Sequence, residues 1–206
     1  INQDDIDAVV EVLNSEFLTQ GPKVVEFEND LASYCSVKYS KVVNNGTSAL
    51  HLAYLATGLK QGDIVWTTPN TFVATANAAL YCGASVDFVD INPKTYNLSI
   101  DCLKEKLAKA KKDNKLPKLV VPVHFSGQSC EMKDIWALSK EYGFKVVEDA
   151  CHALGSEYLD KKVGCCEYSD MTVFSFHPVK MITTGEGGAI MINNKQLEEK
   201  IALLRS

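Results

Sequence analysis

A single lysine, Lys180, ends the run Phe174-Ser175-Phe176-His177-Pro178-Val179-Lys180, and Thr183-Thr184-Gly185-Glu186-Gly187-Gly188 follows shortly after. Apolar, strand-like residues lie before it, and a second apolar run, Ala189 to Ile192, lies after the glycines. A lysine held just past a buried strand can be stripped of solvent. Desolvation lowers the pKa of an amine and frees it to act as a nucleophile. The same residues also describe an ordinary loop lysine beside a glycine-rich turn. Other parts of the chain decide between the two by supplying partners or failing to.

Three further places have suitable chemistry. In Asn44-Asn45-Gly46-Thr47-Ser48-Ala49, Gly46 lets the backbone approach a ligand, and Thr47 and Ser48 offer hydroxyls at a helix start. Free N–H groups and hydroxyls at a helix N-terminus make a phosphate site, although Thr and Ser also serve there as plain caps. In Pro69-Asn70-Thr71-Phe72, the aromatic ring of Phe72 can stack on a planar ligand or simply open the apolar face of a helix. In Asp149-Ala150-Cys151-His152, a carboxylate follows a buried apolar run and needs a partner there. Asp149 suits a ring nitrogen and His152 a ring substituent, while capping and packing are their ordinary uses. Ser175 adds another hydroxyl beside Lys180. No G-x-G-x-x-G and no Walker lysine occurs.

The elements that must position these groups alternate. Apolar spacing predicts helices over Asp4–Ser15, with Ile6, Val9, Val10 and Leu13 in register, and over Pro22–Cys35, with Val24, Val25, Phe27, Leu31 and Tyr34 toward a core. From residue 39 the pattern runs strand 39–43, helix 47–58, strand 64–68, helix 72–82, strand 85–89, helix 100–111, strand 119–123, helix 132–142 and strand 145–148. Two strands around the Lys180 loop follow within 169–192, then a helix over 195–204. Repeated strand–helix alternation with short connections predicts an α/β fold, a mostly parallel sheet with helices on both faces. Such sheets bind ligands beyond the carboxyl ends of their strands, and all four places lie at predicted strand ends. Residues 1–35 read as an N-terminal helical segment and 36–206 as a large α/β domain.

A phosphate cup (Gly46, Thr47, Ser48, Ser175), a ring stacker (Phe72), an acid for a ring nitrogen (Asp149) and an amine for an aldehyde (Lys180) are what pyridoxal 5'-phosphate needs. In that reading Lys180 anchors the aldehyde and later shuttles a proton, and Asp149 keeps the pyridine nitrogen protonated.

Composition sets the frame. The 206 residues are 46% hydrophobic and 23% charged, with a formal net charge of −5, as expected of a globular domain with a core. Neither the net charge nor the lysine-rich run 104–118, which reads as a solvated helix face, suits nucleic-acid binding. The uncharged stretch 64–86 is broken by Pro69 and Gly83 and rich in Thr and Asn, unlike a membrane span. Seven cysteines without a C-x-x-C pair argue against a metal site and for a reducing, cytoplasmic setting. The chain opens on Ile1 with no signal-peptide pattern and ends on a helix without a cap, so it reads as cut from a longer product.

Taken in order, Gly46-Thr47-Ser48-Ala49-Leu50, Thr71-Phe72-Val73-Ala74-Thr75, Glu148-Asp149-Ala150 and Ser175-Phe176-His177-Pro178-Val179-Lys180 with Gly185-Glu186-Gly187-Gly188 resemble the DegT/DnrJ/EryC1/StrS family. That resemblance covers essentially the whole chain. It implies the large domain of the type I (aspartate-aminotransferase-like) fold and a pyridoxal-phosphate-dependent aminotransferase of nucleotide-linked keto-sugars. It carries the cofactor lysine onto Lys180, the pyridine-nitrogen acid onto Asp149, phosphate contacts onto Thr47, Ser48 and Ser175, the stacking ring onto Phe72, and a polar contact near the cofactor hydroxyl onto His152. The runs 152–158 and 168–188 are most similar to the branch that aminates a UDP-linked 4-keto-6-deoxy sugar in pseudaminic acid biosynthesis, with glutamate as donor. A homodimer is implied, because a smaller domain and a neighbouring subunit complete the site in that family. A sugar dehydratase of the same fold is one alternative, but those relatives carry histidine in place of the anchoring lysine. A catalytically incomplete cofactor-binding fragment is the other.

Overall fold

The computed structural model describes residues 1–206. Seven helices and nine strands follow one another: α1 (Gln3–Leu13), α2 (Pro22–Cys35), β1 (Tyr39–Val43), α3 (Gly46–Ala56), β2 (Ile64–Thr67), α4 (Ala74–Tyr81), β3 (Ser85–Phe88), α5 (Ile100–Lys112), β4 (Leu119–Val121), α6 (Met132–Tyr142), β5 (Lys145–Asp149), β6 (Glu157–Tyr158), β7 (Lys161–Lys162), β8 (Met171–Ser175), β9 (Gly188–Ile192) and α7 (Lys195–Arg205). Seven strands form one sheet in the order β1-β9-β8-β5-β4-β2-β3, and β6 pairs with β7 outside it. The sheet is parallel except for β9, which runs antiparallel to both β1 and β8. The antiparallel strand is the return of the chain after the Lys180 loop, which joins adjacent strands directly with no helix between them.

Helices cover both faces, and alternation along the strands divides the core accordingly. Leu119 and Val121 of β4, Val147 of β5, and Met171 and Val173 of β8 pack with α3, α4 and α7 through Leu50, Tyr54, Ala78 and Ile201. On the opposite face Val120 and Val146 pack on Leu103 and Leu107 of α5 and Ile135 of α6. Phe174, Ala189 and Met191 pack on Leu31 and Cys35 of α2. Burial pushes the Cys35 thiol up to about 12, so it serves as a small apolar side chain.

The N-terminal helices refine the expectation. A capping box starts α1: Asn2 N–H donates to Asp5 Oδ2 at 2.7 Å and Asp5 N–H to Asn2 Oδ1 at 3.1 Å. Its apolar stripe forms as predicted, but Ile6, Val9, Val10 and Leu13 are all exposed. In α2 the buried stripe is Glu28, Leu31 and Cys35, so Val25 and Tyr34 turn to solvent rather than to the core. Glu28 takes a core-side position because it accepts Val42 N–H at 3.0 Å and pairs with Lys41 and Arg205.

The β6–β7 hairpin is absent from the sequence expectation for a local reason. Both of its turn residues, Leu159 (φ 50°) and Asp160 (φ 61°), adopt left-handed backbone. A two-residue turn of that kind is normally announced by Asn-Gly or Asp-Gly, and here it is not.

Candidate active site

The carboxyl ends of β1, β2, β4, β5 and β8 open onto one cleft of about 510 Å³, within the usual range for a small-molecule site. Gly46, Thr47, Phe72, Asp149, His152, Ser175 and Lys180 all line it. Ser48 stands one turn position further into α3 and is not in the lining.

Asn45 begins α3, and its Oδ1 accepts Ser48 N–H at 2.7 Å. The cap is therefore Asn45, two and three positions ahead of Thr47 and Ser48, the hydroxyl residues that could have played that part. Thr47 keeps its hydroxyl for the cleft, and the N–H groups of Gly46 and Thr47 have no acceptor within the helix. Together with the positive end of the helix dipole they form an anion-binding corner. The corner is tightly built. A Cβ on Gly46 would stand 2.9 Å from Ser175 Cβ and 3.2 Å from Ser175 Oγ, so glycine is what lets the helix start reach the end of β8.

Gly188 presses on the same corner from β9, opposite Val43 on one side and Ser175 on the other. A Cβ there would lie 2.5 Å from Asn45 O and 2.8 Å from Gly46 N. Both are backbone atoms with little room to give. Gly188→Ala is expected to displace the Asn45 cap, at about 1–3 kcal/mol of stability, and to weaken phosphate-ligand binding in parallel. Thermal unfolding and pyridoxal phosphate titration of the variant measure the two effects.

Asp149 ends β5 and is 5% exposed. Its Oδ2 accepts the Thr75 hydroxyl at 2.7 Å and its Oδ1 accepts Cys151 N–H at 3.2 Å. The cap-like contact to Cys151 and the cleft-facing position coexist. Burial and the neighbouring Asp149 hold the Cys151 thiol well above its ordinary range, so it remains protonated. Burial, then the charge of Lys180, lowers the His152 pKa against the opposing pull of Asp149; its imidazole is neutral near pH 7. Lys180 itself is half-buried, in a tight turn where its N–H donates to His177 O at 2.9 Å.

Phe72 is 71% exposed and precedes α4, which starts two residues later than predicted. It is not a core residue, and its ring stands at the rim of the cleft. The lining also includes Phe125, whose ring centroid lies 6.5 Å from that of His152 and 6.0 Å from that of Tyr96. Phe125 was not singled out from the sequence. It stands four positions after the end of β4, a strand end like those that carry the other cleft residues.

Next to Asp149, Glu148 points to the other face of the sheet. Its Oε1 accepts the hydroxyls of Ser169 (2.5 Å) and Thr172 (2.7 Å). Its Oε2 lies 2.7 Å from His124 Nε2. Cys130 N–H donates to His124 Nδ1 at 3.0 Å, so Nδ1 carries a lone pair and Nε2 the proton given to Glu148. His124 N–H also donates to the Asp149 carbonyl at 3.0 Å. This buried network ties the Phe125 wall to the strand that holds Asp149.

The sequence pattern of the DegT/DnrJ/EryC1/StrS aminotransferase family matches residues 1–206. The chain belongs to this family. A UDP-4-amino-4,6-dideoxy-N-acetyl-beta-L-altrosamine transaminase from Campylobacter jejuni subsp. jejuni serotype O:23/36 is 52% identical over 206 residues, 100% of this chain and 53% of that protein. Among solved structures, PseC from Helicobacter pylori, an aminotransferase involved in the biosynthesis of pseudoaminic acid, superposes with a TM-score of 0.91 at 39% identity, over 100% of this chain and 54% of the other. NtdA from Bacillus subtilis, solved with bound cofactor PMP, gives 0.86 at 33% identity over 97% of this chain and 43% of its own. The fold is thus that of the large domain of pyridoxal-phosphate-dependent aminotransferases. The chain spans about half the length of the curated relatives it matches.

The cleft fits the family's cofactor on its own chemistry. An anion corner closed by Gly46 and Gly188, a buried carboxylate with a side facing the cleft, and a lysine amine are donor and acceptor types matched to a phosphate, a pyridine nitrogen and an aldehyde.

Proposed function

We propose that these residues form the cofactor half of a pyridoxal-phosphate-dependent aminotransferase that moves an amino group from glutamate to a UDP-linked 4-keto-6-deoxy sugar in pseudaminic acid biosynthesis. The observation that carries the chemistry is the convergence of Lys180, Asp149 and the α3 N-terminus with Ser175 on one cleft. The sugar-nucleotide class rests on the 52% identity to the Campylobacter transaminase.

Bound pyridoxal phosphate supplies an electron sink for the carbanion left when a proton is removed from the amino-bearing carbon. The protein does the rest. Gly46 and Thr47 N–H groups, with the hydroxyls of Thr47 and Ser175, would hold the phosphate, and Ser48, outside the lining, would support the corner through its N–H bond to Asn45. The Phe72 ring would stack on the pyridine, the Asp149 carboxylate would hold a proton on the ring nitrogen, and the neutral His152 imidazole would meet the ring hydroxyl. Lys180 Nζ would hold the cofactor's aldehyde and, as a free amine, would serve as the base and then the acid that carries the proton.

Residues 36–206 are proposed as the large cofactor domain and 1–35 as its helical N-terminal segment. The protein is read as cytoplasmic, which its free thiols suit; no helix is long and apolar enough to cross a membrane. It is read as a homodimer, which the uncovered apolar residues Val73, Leu80 and Tyr81 along α4 suit.

The test uses the protein at its natural length. Borohydride treatment in the presence of pyridoxal phosphate is expected to leave a pyridoxyl group on Lys180, found by peptide mass spectrometry. Glutamate and a UDP-4-keto-6-deoxy sugar are expected to give the amino sugar. An unmodified Lys180 defeats the cofactor assignment, and a deoxy-keto product with release of ammonia replaces transamination by dehydration.

A further inference from the structure

The segment Thr71-Phe72-Val73-Ala74-Thr75 holds more than the stacking ring. Thr75 is fully buried. Its Oγ1 lies 2.7 Å from Asp149 Oδ2, 2.7 Å from Thr71 Oγ1 and 3.1 Å from Phe72 O. A hydroxyl has one proton to give and two lone pairs to receive with. The carboxylate is the strongest acceptor of the three, so Thr75 donates to Asp149 and the Thr71 hydroxyl donates to Thr75. Thr71 lines the cleft, which makes the pair a short relay from the cleft wall to the acid.

Thr75 is itself fixed. Its carbonyl accepts the buried Tyr54 hydroxyl at 2.9 Å, tying the start of α4 to α3. Burial and then the Asp149 charge hold the Tyr54 pKa well above its ordinary value, so that hydroxyl stays a donor. The relay is therefore anchored at one end by the core and aimed at the other.

We infer that Thr75, supported by Thr71, is the positioning residue of the site: it fixes the orientation of the Asp149 carboxylate, so that one oxygen faces the ring nitrogen of the cofactor. Cys151 N–H restrains Oδ1 and Thr75 restrains Oδ2, and a carboxylate held at both oxygens cannot rotate. Without the Thr75 hydroxyl, Oδ2 loses a charge-assisted hydrogen bond at a carboxylate that is only 5% exposed. The inference rests on the cofactor reading above.

The experiment measures the pyridoxal phosphate dissociation constant of the natural-length protein and its variants, with an unfolding midpoint for each. Thr75→Val keeps the shape and removes the hydroxyl; binding is expected to weaken about 10- to 100-fold. Thr75→Ser is expected to restore it to within about threefold. In an Asp149→Ala background, Thr75→Val is expected to have no further effect on binding, because the relay then has nothing to position. A role in packing alone would instead persist in that background and would not be rescued by serine. Binding unchanged or tightened in Thr75→Val overturns the inference, as does an additive effect with Asp149→Ala. If the unsubstituted protein binds no pyridoxal phosphate, the cofactor reading fails and this inference falls with it.

Discussion

Lys180→Ala is expected to lower the transamination rate of the natural-length protein on the order of 10⁴-fold, the upper end of what a positioned general base supplies. Stability should hardly change, since Lys180 is half-buried and belongs to none of the ion pairs within 4.0 Å. Lys180→Arg sharpens the result. It keeps a positive charge beside His152 and Asp149, yet a guanidinium stays protonated and cannot accept the proton or hold an aldehyde as an amine does. Arginine is therefore expected to be as inactive as alanine. The two variants should differ at His152. Burial is the larger cause of its lowered pKa and the Lys180 charge the next, so alanine relieves the second and leaves the first. Imidazole NMR of the cofactor-free protein should show the His152 titration moving up in Lys180→Ala and staying put in Lys180→Arg. Activity retained in either variant above a few per cent would remove Lys180 from the chemistry.

The second large effect concerns stability. His124→Leu keeps volume but leaves Glu148 with one donor fewer and Cys130 N–H with no acceptor, both in the closed interior. A lost hydrogen bond to a charge and an orphaned buried N–H together cost about 3–5 kcal/mol, readable by denaturant unfolding. A loss below about 1 kcal/mol, as an exposed pair would give, would show that the network is dispensable. Acid dependence checks the same network. Burial works against the Glu148 charge, but the hydrogen bonds from His124, Ser169 and Thr172 outweigh it and lower its pKa. A carboxyl with a lower pKa folded than unfolded stabilises fully above the unfolded value, and the contribution is lost as pH falls through the folded value. Unfolding free energy is thus expected to fall below about pH 4.5, and to fall less steeply in Glu148→Gln, which has no proton to take up there.

Adjacent residues in one strand here do unrelated work. Glu148 and Asp149 are neighbouring acids at the end of one apolar run. Alternation sends Asp149 toward α4 and the cleft, and Glu148 toward Ser169 and His124 on the far face. The cleft also owes its shape to residues with no chemical signature, Gly46 and Gly188, whose contribution is the absence of a Cβ.

The sequence by itself determined the alternation of strands and helices, the four strand-end segments, and Lys180 as the amine among them. These are local properties, carried by hydrophobic period, helix-start residues and turn glycines, and they survive being read one window at a time. Only the tertiary structure decided that those strand ends are neighbours. Strand order places β9, the last strand in sequence, between β1 and β8, and brings Thr75 to Asp149 across 74 residues. It also decided that Asn45 is the cap, that Phe72 stands at the rim rather than in the core, and that Phe125 joins the cleft lining. Each depends on which segments pair across the sheet, and pairing is set by burial of whole faces rather than by any short run of residues.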